Sequence, residues 1–259
     1  KAIRRQRQMC IRDRYNGNRF DQPFLEERYR KYKMDSPFAE KTSVDLYQLL
    51  KPCQSLFKLS KMKQPDLENF VGIHNRKYCD GGQCIRLYKT FMKKKDPEAA
   101  NIVMGHNEED LLGLGTIFSL LAYKKLYDGE YHPKQCVILE QELKIVIELS
   151  AAAPVNVSCG NSDFYLSVNG YEARMLVHLK EGKLRQYYRN YKDYEFIPGE
   201  DTAMPKSITR YMDKSLKIAT TPQTCYTWFN CDEDFLNNEK KQMQYLTHTL
   251  PFFLDNLNK

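Results

Sequence analysis

Tyr15-Asn16-Gly17-Asn18-Arg19-Phe20-Asp21-Gln22-Pro23-Phe24-Leu25 passes from a strand end into a helix. Asp21 stands just ahead of Gln22-Pro23, where a short carboxylate satisfies free backbone N–H groups and a proline fits the first turn. Phe24, Leu25, Tyr29 and Tyr32 then recur at spacings of three and four, which predicts a helix over about 22–33. Downstream, Ser43-Val44-Asp45-Leu46-Tyr47 reads as a short strand feeding a helical turn that Pro52 closes, and Asp66 to Val71 as a helix end closed by Gly72. Asp96-Pro97-Glu98 opens another helical stretch, and Leu111, Leu114, Phe118, Leu121 and Leu126 continue near helical period. Strands alternating with helices predict an α/β layout.

Beyond Tyr131 the period changes to two. Leu143, Ile145, Ile147 and Leu149 alternate with polar residues, as do Phe164, Leu166 and Val168, and Met175, Val177 and Leu179 lead into Glu181-Gly182-Lys183. Such alternation broken by glycine turns predicts antiparallel strands. A short helix over about 205–214, a strand from Cys225 to Phe229 and a tail helix from Asn238 to Leu250, interrupted near Pro251, complete a β-rich α+β region. Tyr131-His132-Pro133 breaks the long helix, so the domains are expected at 15–131 and 132–259.

The 259 residues carry 40 basic and 33 acidic side chains, a formal charge of +7, with 42% hydrophobic residues. That is enough apolar surface to exclude wholesale disorder. No stretch approaches a membrane span, and the N-terminus lacks the apolar run of a secretory signal. The eight cysteines are scattered without a CxxC pair. They read as reduced thiols of a cytoplasmic protein with no membrane partner. Cys79-x4-Cys84 near His74 and Cys225-x5-Cys231 are wider than the knuckles that structural zinc favours.

Five of the eleven residues from Arg4 to Arg14 are arginine. A basic arm that grips phosphates is one reading. Back-translated, however, the segment resembles a transposase-type sequencing adapter codon for codon. Residues 1–14 are therefore expected to be artefactual and are set aside in fold reasoning. They hold six basic groups and one acid, so +5 of the +7 lies there.

His106-Asn107-Glu108-Glu109-Asp110-Leu111-Leu112 places His106 and Asp110 four residues apart, on one helix face. Carboxylates beside a polar base suit a metal-ion phosphodiesterase, in which they hold two hard cations about 3.5–4 Å apart. Read singly, Asp21 is more often just a helix cap, and His106 with Asp110 more often an exposed helix face.

Together and in order, these motifs resemble the DEDD 3′-to-5′ exonucleases of the ribonuclease H-like superfamily, most closely a bacterial branch of ribonuclease H-like domain proteins. The resemblance covers about Tyr15 to Tyr127. The second exonuclease motif, Asn-x-x-x-Phe-Asp-x-x-x-Leu, is matched by Asn16, Phe20, Asp21 and Leu25. The third sets Tyr four residues, or His five, before a last Asp; His106 combines the histidine with the tyrosine spacing, and Asp110 fits the last Asp.

The resemblance implies Asp21 and Asp110 as ligands of a two-metal Mg²⁺ or Mn²⁺ site, His106 as the residue orienting water, and Asn16 and Phe20 as substrate-binding residues. Its partner would be nucleic acid, DNA or RNA. The family's first motif, Asp-x-Glu, has no match upstream of Asn16. The expected fold is accordingly a partial ribonuclease H-like α/β fold lacking its first strands, followed by the β-rich domain. The chain as it stands is expected to bind metal weakly and to be catalytically dead, with a nuclease as its full-length parent. The rival reading is a degenerate nuclease fold serving as a nucleic-acid-binding or protein-interaction module.

Two further stretches have two readings each. Lys93-Lys94-Lys95 is a solvated loop or a phosphate contact. Tyr187-Tyr188-Arg189-Asn190-Tyr191-Lys192-Asp193-Tyr194 packs its tyrosines on a sheet, or offers them to the bases of a single strand.

Overall fold

The computed structural model describes residues 11–19, 21–36, 38, 42–78 and 81–257. Contacts divide the chain into two units, 1–54 with 59–121 and 55–58 with 122–259.

In the first unit, β1 (Ile11–Arg14) and β2 (Thr42–Asp45) pair in parallel, with Ile11 opposite Thr42 and Arg14 opposite Asp45. Parallel neighbours need a crossover, supplied here by α1 (Asp21–Lys31). Backbone pairing asks nothing of the side chains, so β1 carries no information on where its adapter-like sequence comes from. Asp21 lies in the first turn of α1 and three basic residues in its last, an arrangement that favours the helix dipole.

α2 (Leu46–Leu50) follows directly from β2, and Pro52 sits within a short 3-10 turn, Lys51–Cys53, that extends it. α3 (Gln64–Phe70) starts with Asp66 Oδ2 accepting from Lys63 N at 2.9 Å and ends before Gly72, whose φ of 93° is the left-handed conformation glycine adopts cheaply. α4 (Gly81–Lys94) was not expected. It corrects the loop reading of Lys93 and Lys94, which form its last turn.

α5 (Pro97–Ile117) is capped by Asp96, whose side chain accepts from Glu98 N. A 3-10 turn, Phe118–Leu120, leads on to α6 (Leu121–Asp128). Leu46, Leu50, Leu67, Ile117 and Leu120 are fully buried in this unit. At about 25 cal/mol per Å² of apolar surface, such side chains each contribute roughly 2 kcal/mol.

The second unit is built on the antiparallel order β3-β4-β5. β3 (Tyr131–Leu139), β4 (Glu142–Gly160) and β5 (Phe164–His178) alternate buried and exposed residues, with Leu143, Ile145, Ile147 and Met175 facing the core. The helical stretch ends at Asp128, just ahead of Tyr131-His132-Pro133, and those residues open β3. Pro133 is tolerated because β3 is an edge strand and the register shifts between Pro133 and Gln135.

The turn at Glu181-Gly182 has positive φ at both residues, 53° and 73°, the requirement of a type I′ hairpin turn. It leads to β6 (Lys183–Tyr187), which pairs with β10 (Tyr226–Asn230). Between them, β7 (Tyr194–Ile197), β8 (Thr202–Pro205) and β9 (Ile218–Ala219) form a small sheet, with α7 (Lys206–Thr209) after β8.

α8 (Glu233–Leu236) precedes α9 (Glu239–Asp255), which runs through Pro251 rather than stopping there. Tyr245, Leu246, Leu250 and Phe253 of α9 are buried, and that burial outweighs the hydrogen bond the proline lacks. No helix among the described residues is long and apolar enough to cross a membrane.

Candidate functional site

Ligand sites of parallel sheets lie beyond the carboxyl ends of the strands. At that end of β1 and β2, the loop carrying Asn16 is held by Asp45, which is 3% exposed. Asp45 Oδ1 accepts from Asn16 N at 2.7 Å and from Tyr47 N at 3.1 Å, and its Oδ2 accepts from Asn18 N at 3.1 Å. Asn16 adopts φ 56°, a conformation that asparagine tolerates better than most residues. The contact described for Asn16 is made by its backbone, and its side chain is exposed. Phe20 lies outside the described residues.

The second cluster is built on α5. His106 Nδ1 lies 3.1 Å from Asp110 Oδ2, as the four-residue spacing requires. Sequence reasoning missed the other partner: Arg76 Nη2 lies 2.7 Å from Asp110 Oδ1. The same guanidinium forks onto Glu68, with Nε 2.6 Å from Oε2 and Nη2 2.8 Å from Oε1. The Glu68 side chain is 2% exposed. Gln64 Nε2 completes the network, donating to Glu68 Oε1 at 2.9 Å and to the Asp110 carbonyl at 2.7 Å.

The electrostatics follow from this geometry. Burial alone would push the Glu68 carboxyl up; the Arg76 and Gln64 hydrogen bonds, with the charges of Arg76 and His106, outweigh it and hold the group below its ordinary value. The Glu68 hydrogen bond, more than burial opposes, raises Arg76, so the guanidinium stays charged.

Small residues on α5 make the close approach possible. A Cβ on Gly113 would sit 1.9 Å from Glu68 Oε1, and one on Gly105 would sit 2.2 Å from Tyr78 Cζ. Glu109 fixes the segment that carries Arg76, its carboxylate accepting from Lys77 N at 2.8 Å and Tyr78 N at 3.2 Å.

The structure thus joins His106 and Asp110. Asp21 is exposed in the first turn of α1, and no group of three or more His, Cys, Asp or Glu side chains able to hold a metal ion forms among the described residues. Both Asp110 oxygens are engaged, one by a guanidinium. These residues do not fit a two-metal centre, which needs several converging, unneutralised carboxylates. No sequence period marks Arg76, which follows Gly72 in an irregular segment.

The RNase_H_2 family model, described as RNase_H superfamily, matches residues 1–122. The match supports a ribonuclease H-like domain. No curated protein and no solved structure matches the chain. The matched span contains both Asp45 and the cluster on α5. Relatives of this superfamily handle nucleic acid and generally use divalent metals, which makes the Arg76–Asp110 pair the feature of this domain that calls for a functional account.

Proposed function

We propose that the ribonuclease H-like domain has the plan of a metal-dependent nuclease of the 3′-to-5′ exonuclease type, and that this chain does not itself hydrolyse phosphodiesters. One observation carries the second half: Arg76 Nη2 lies 2.7 Å from the Asp110 oxygen that the resemblance assigns to a metal. A carboxylate oxygen held by a guanidinium N–H is not free to ligate Mg²⁺ or Mn²⁺ while that contact stands. The family match supports nucleic acid, DNA or RNA, as the partner.

The same pairing favours the module reading, in which the domain binds nucleic acid, or a protein, without cleaving. The proposed setting is the cytoplasm, a reading that rests on scattered cysteines without a disulfide framework. The test is incubation of the purified 259-residue chain with 5′-labelled single-stranded DNA and RNA in Mg²⁺ and in Mn²⁺. Intact strands are expected. Stepwise shortening from the 3′ end, abolished by Asp110→Ala, overturns the proposal.

A further inference from the structure

The run from Tyr187 to Tyr194 divides into rings that pack and a ring that does not. Tyr187 is buried and stacks on Phe252, with centroids 3.6 Å apart and planes at 8°. Tyr188 stacks on Tyr194 at 5.2 Å. Tyr191 has no aromatic ring contact among those described, and it is half-buried at the head of a 3-10 turn whose position is fixed by Thr220 Oγ1 donating to the Tyr191 carbonyl.

Tyr191 lines a cleft of about 370 Å³ with Tyr127, Tyr188, Phe252, Arg189 and Asp255. The Arg189 guanidinium lies 5.3 Å from the centre of the Tyr127 ring and is exposed, and it makes no ion pair with an acidic side chain among the described residues. Tyr127 is oriented in turn by its hydroxyl, which donates to Asp255 Oδ1 at 2.8 Å.

These walls select their ligand. Tyr191 brings a ring not stacked on another among those described, with Tyr127, Tyr188 and Phe252 lining the cleft beside it, and aromatic walls suit a flat, polarisable ring. Arg189 disfavours a cationic guest of the kind other aromatic cages take, and favours an anion beside that ring. The volume lies in the range of about 300–1,000 Å³ usual for small-ligand sites. A nucleotide unit carries both, a flat heteroaromatic base and a phosphate.

We propose that this cleft binds one nucleotide of a single-stranded nucleic acid, its base against Tyr191 and its phosphate against Arg189. The choice of a strand rests on the nucleic-acid reading of the ribonuclease H-like domain. Residues 132–259 carry 15 basic and 16 acidic groups, a net charge of −1, so affinity comes from stacking and one phosphate contact rather than from a long-range field.

Fluorescence anisotropy of the full chain with labelled dT12 and rU12 tests this. Tyr191→Ala is expected to weaken binding about five- to hundred-fold and Tyr191→Phe to retain it. Arg189→Ala is expected to flatten the salt dependence by about one phosphate. Circular dichroism checks folding, and exposed Arg189 keeps the test open if Tyr191→Ala does not fold. Affinity unchanged in both variants, no binding by the folded wild type, or TMP binding as tightly as the strand overturns the proposal. Hydrolysis of the same strands reads the ribonuclease H-like domain separately, so either proposal can fail alone.

Discussion

Arg76 and Glu68 form a two-pronged ion pair, with Nε 2.6 Å from Oε2 and Nη2 2.8 Å from Oε1, around a carboxylate only 2% exposed. Because Nη2 also reaches Asp110, one guanidinium links α3, α5 and the irregular segment between α3 and α4. The stability of the first unit and the state of its candidate site are therefore coupled.

Removing the cation leaves a buried charge without its partner. Arg76→Met is expected to cost about 3–5 kcal/mol, read as a lower urea midpoint. Arg76→Lys is expected to recover only part of this, since a single ammonium cannot reproduce the fork. Wild-type stability in Arg76→Met would mean that the pair does not form.

Acid acts on the same pair. Glu68 is held below its ordinary value near 4.5, so around and below that pH the unfolded chain binds the proton more readily than the folded one. Its contribution is complete above about pH 4.5 and is lost as pH falls through the folded value. Urea melts between pH 3 and 6 are expected to fall more steeply in wild type than in Glu68→Gln over that window.

Two glycines of α5 offer a controlled comparison. The Glu68 carboxylate that a Gly113 Cβ would meet is pinned by Arg76 and Gln64, so Gly113→Ala is expected to destabilise by about 1–3 kcal/mol. Gly115 has open space around it, and Gly115→Ala is expected to be neutral or to stabilise by up to about 1 kcal/mol through helix propensity. Equal thermal shifts in the two variants would contradict the packing of Glu68 on α5.

Asp45 holds three backbone donors from one buried carboxylate. Asp45→Ala is expected to cost about 3 kcal/mol or more, since each stranded donor costs roughly 1 kcal/mol or more. The loop carrying Asn16 should lose amide-exchange protection first. Protection at Asn16 and Asn18 that survives the substitution would show that the carboxylate is not what holds the loop.

What the sequence displayed was local. Asp96-Pro97-Glu98 announces α5 because capping is decided within three residues, and the alternation from Leu143 to Leu149 announces β4 because its period is the strand's own. The spacing of His106 and Asp110 likewise foretold their 3.1 Å contact.

What the sequence hid depends on partners far along the chain. Pro251 reads as an interruption, yet a buried helix face absorbs it, and that Pro133 sits inside an edge strand was not legible locally. Arg76 stands 34 residues before Asp110 in a segment without period, so nothing nearby pointed to the pair. Tyr187 and Tyr191 look equivalent in a tyrosine-rich run, and only packing separates the ring that is stacked from the one that faces a cleft.

Among the described strands, β1 and β2 pair only with each other. Each strand spends one side on its neighbour, and no other described strand pairs with its second row of amide and carbonyl groups. Such a pair is a template with two open margins. An edge of that kind is where a further strand can add through its backbone alone, whatever its side chains.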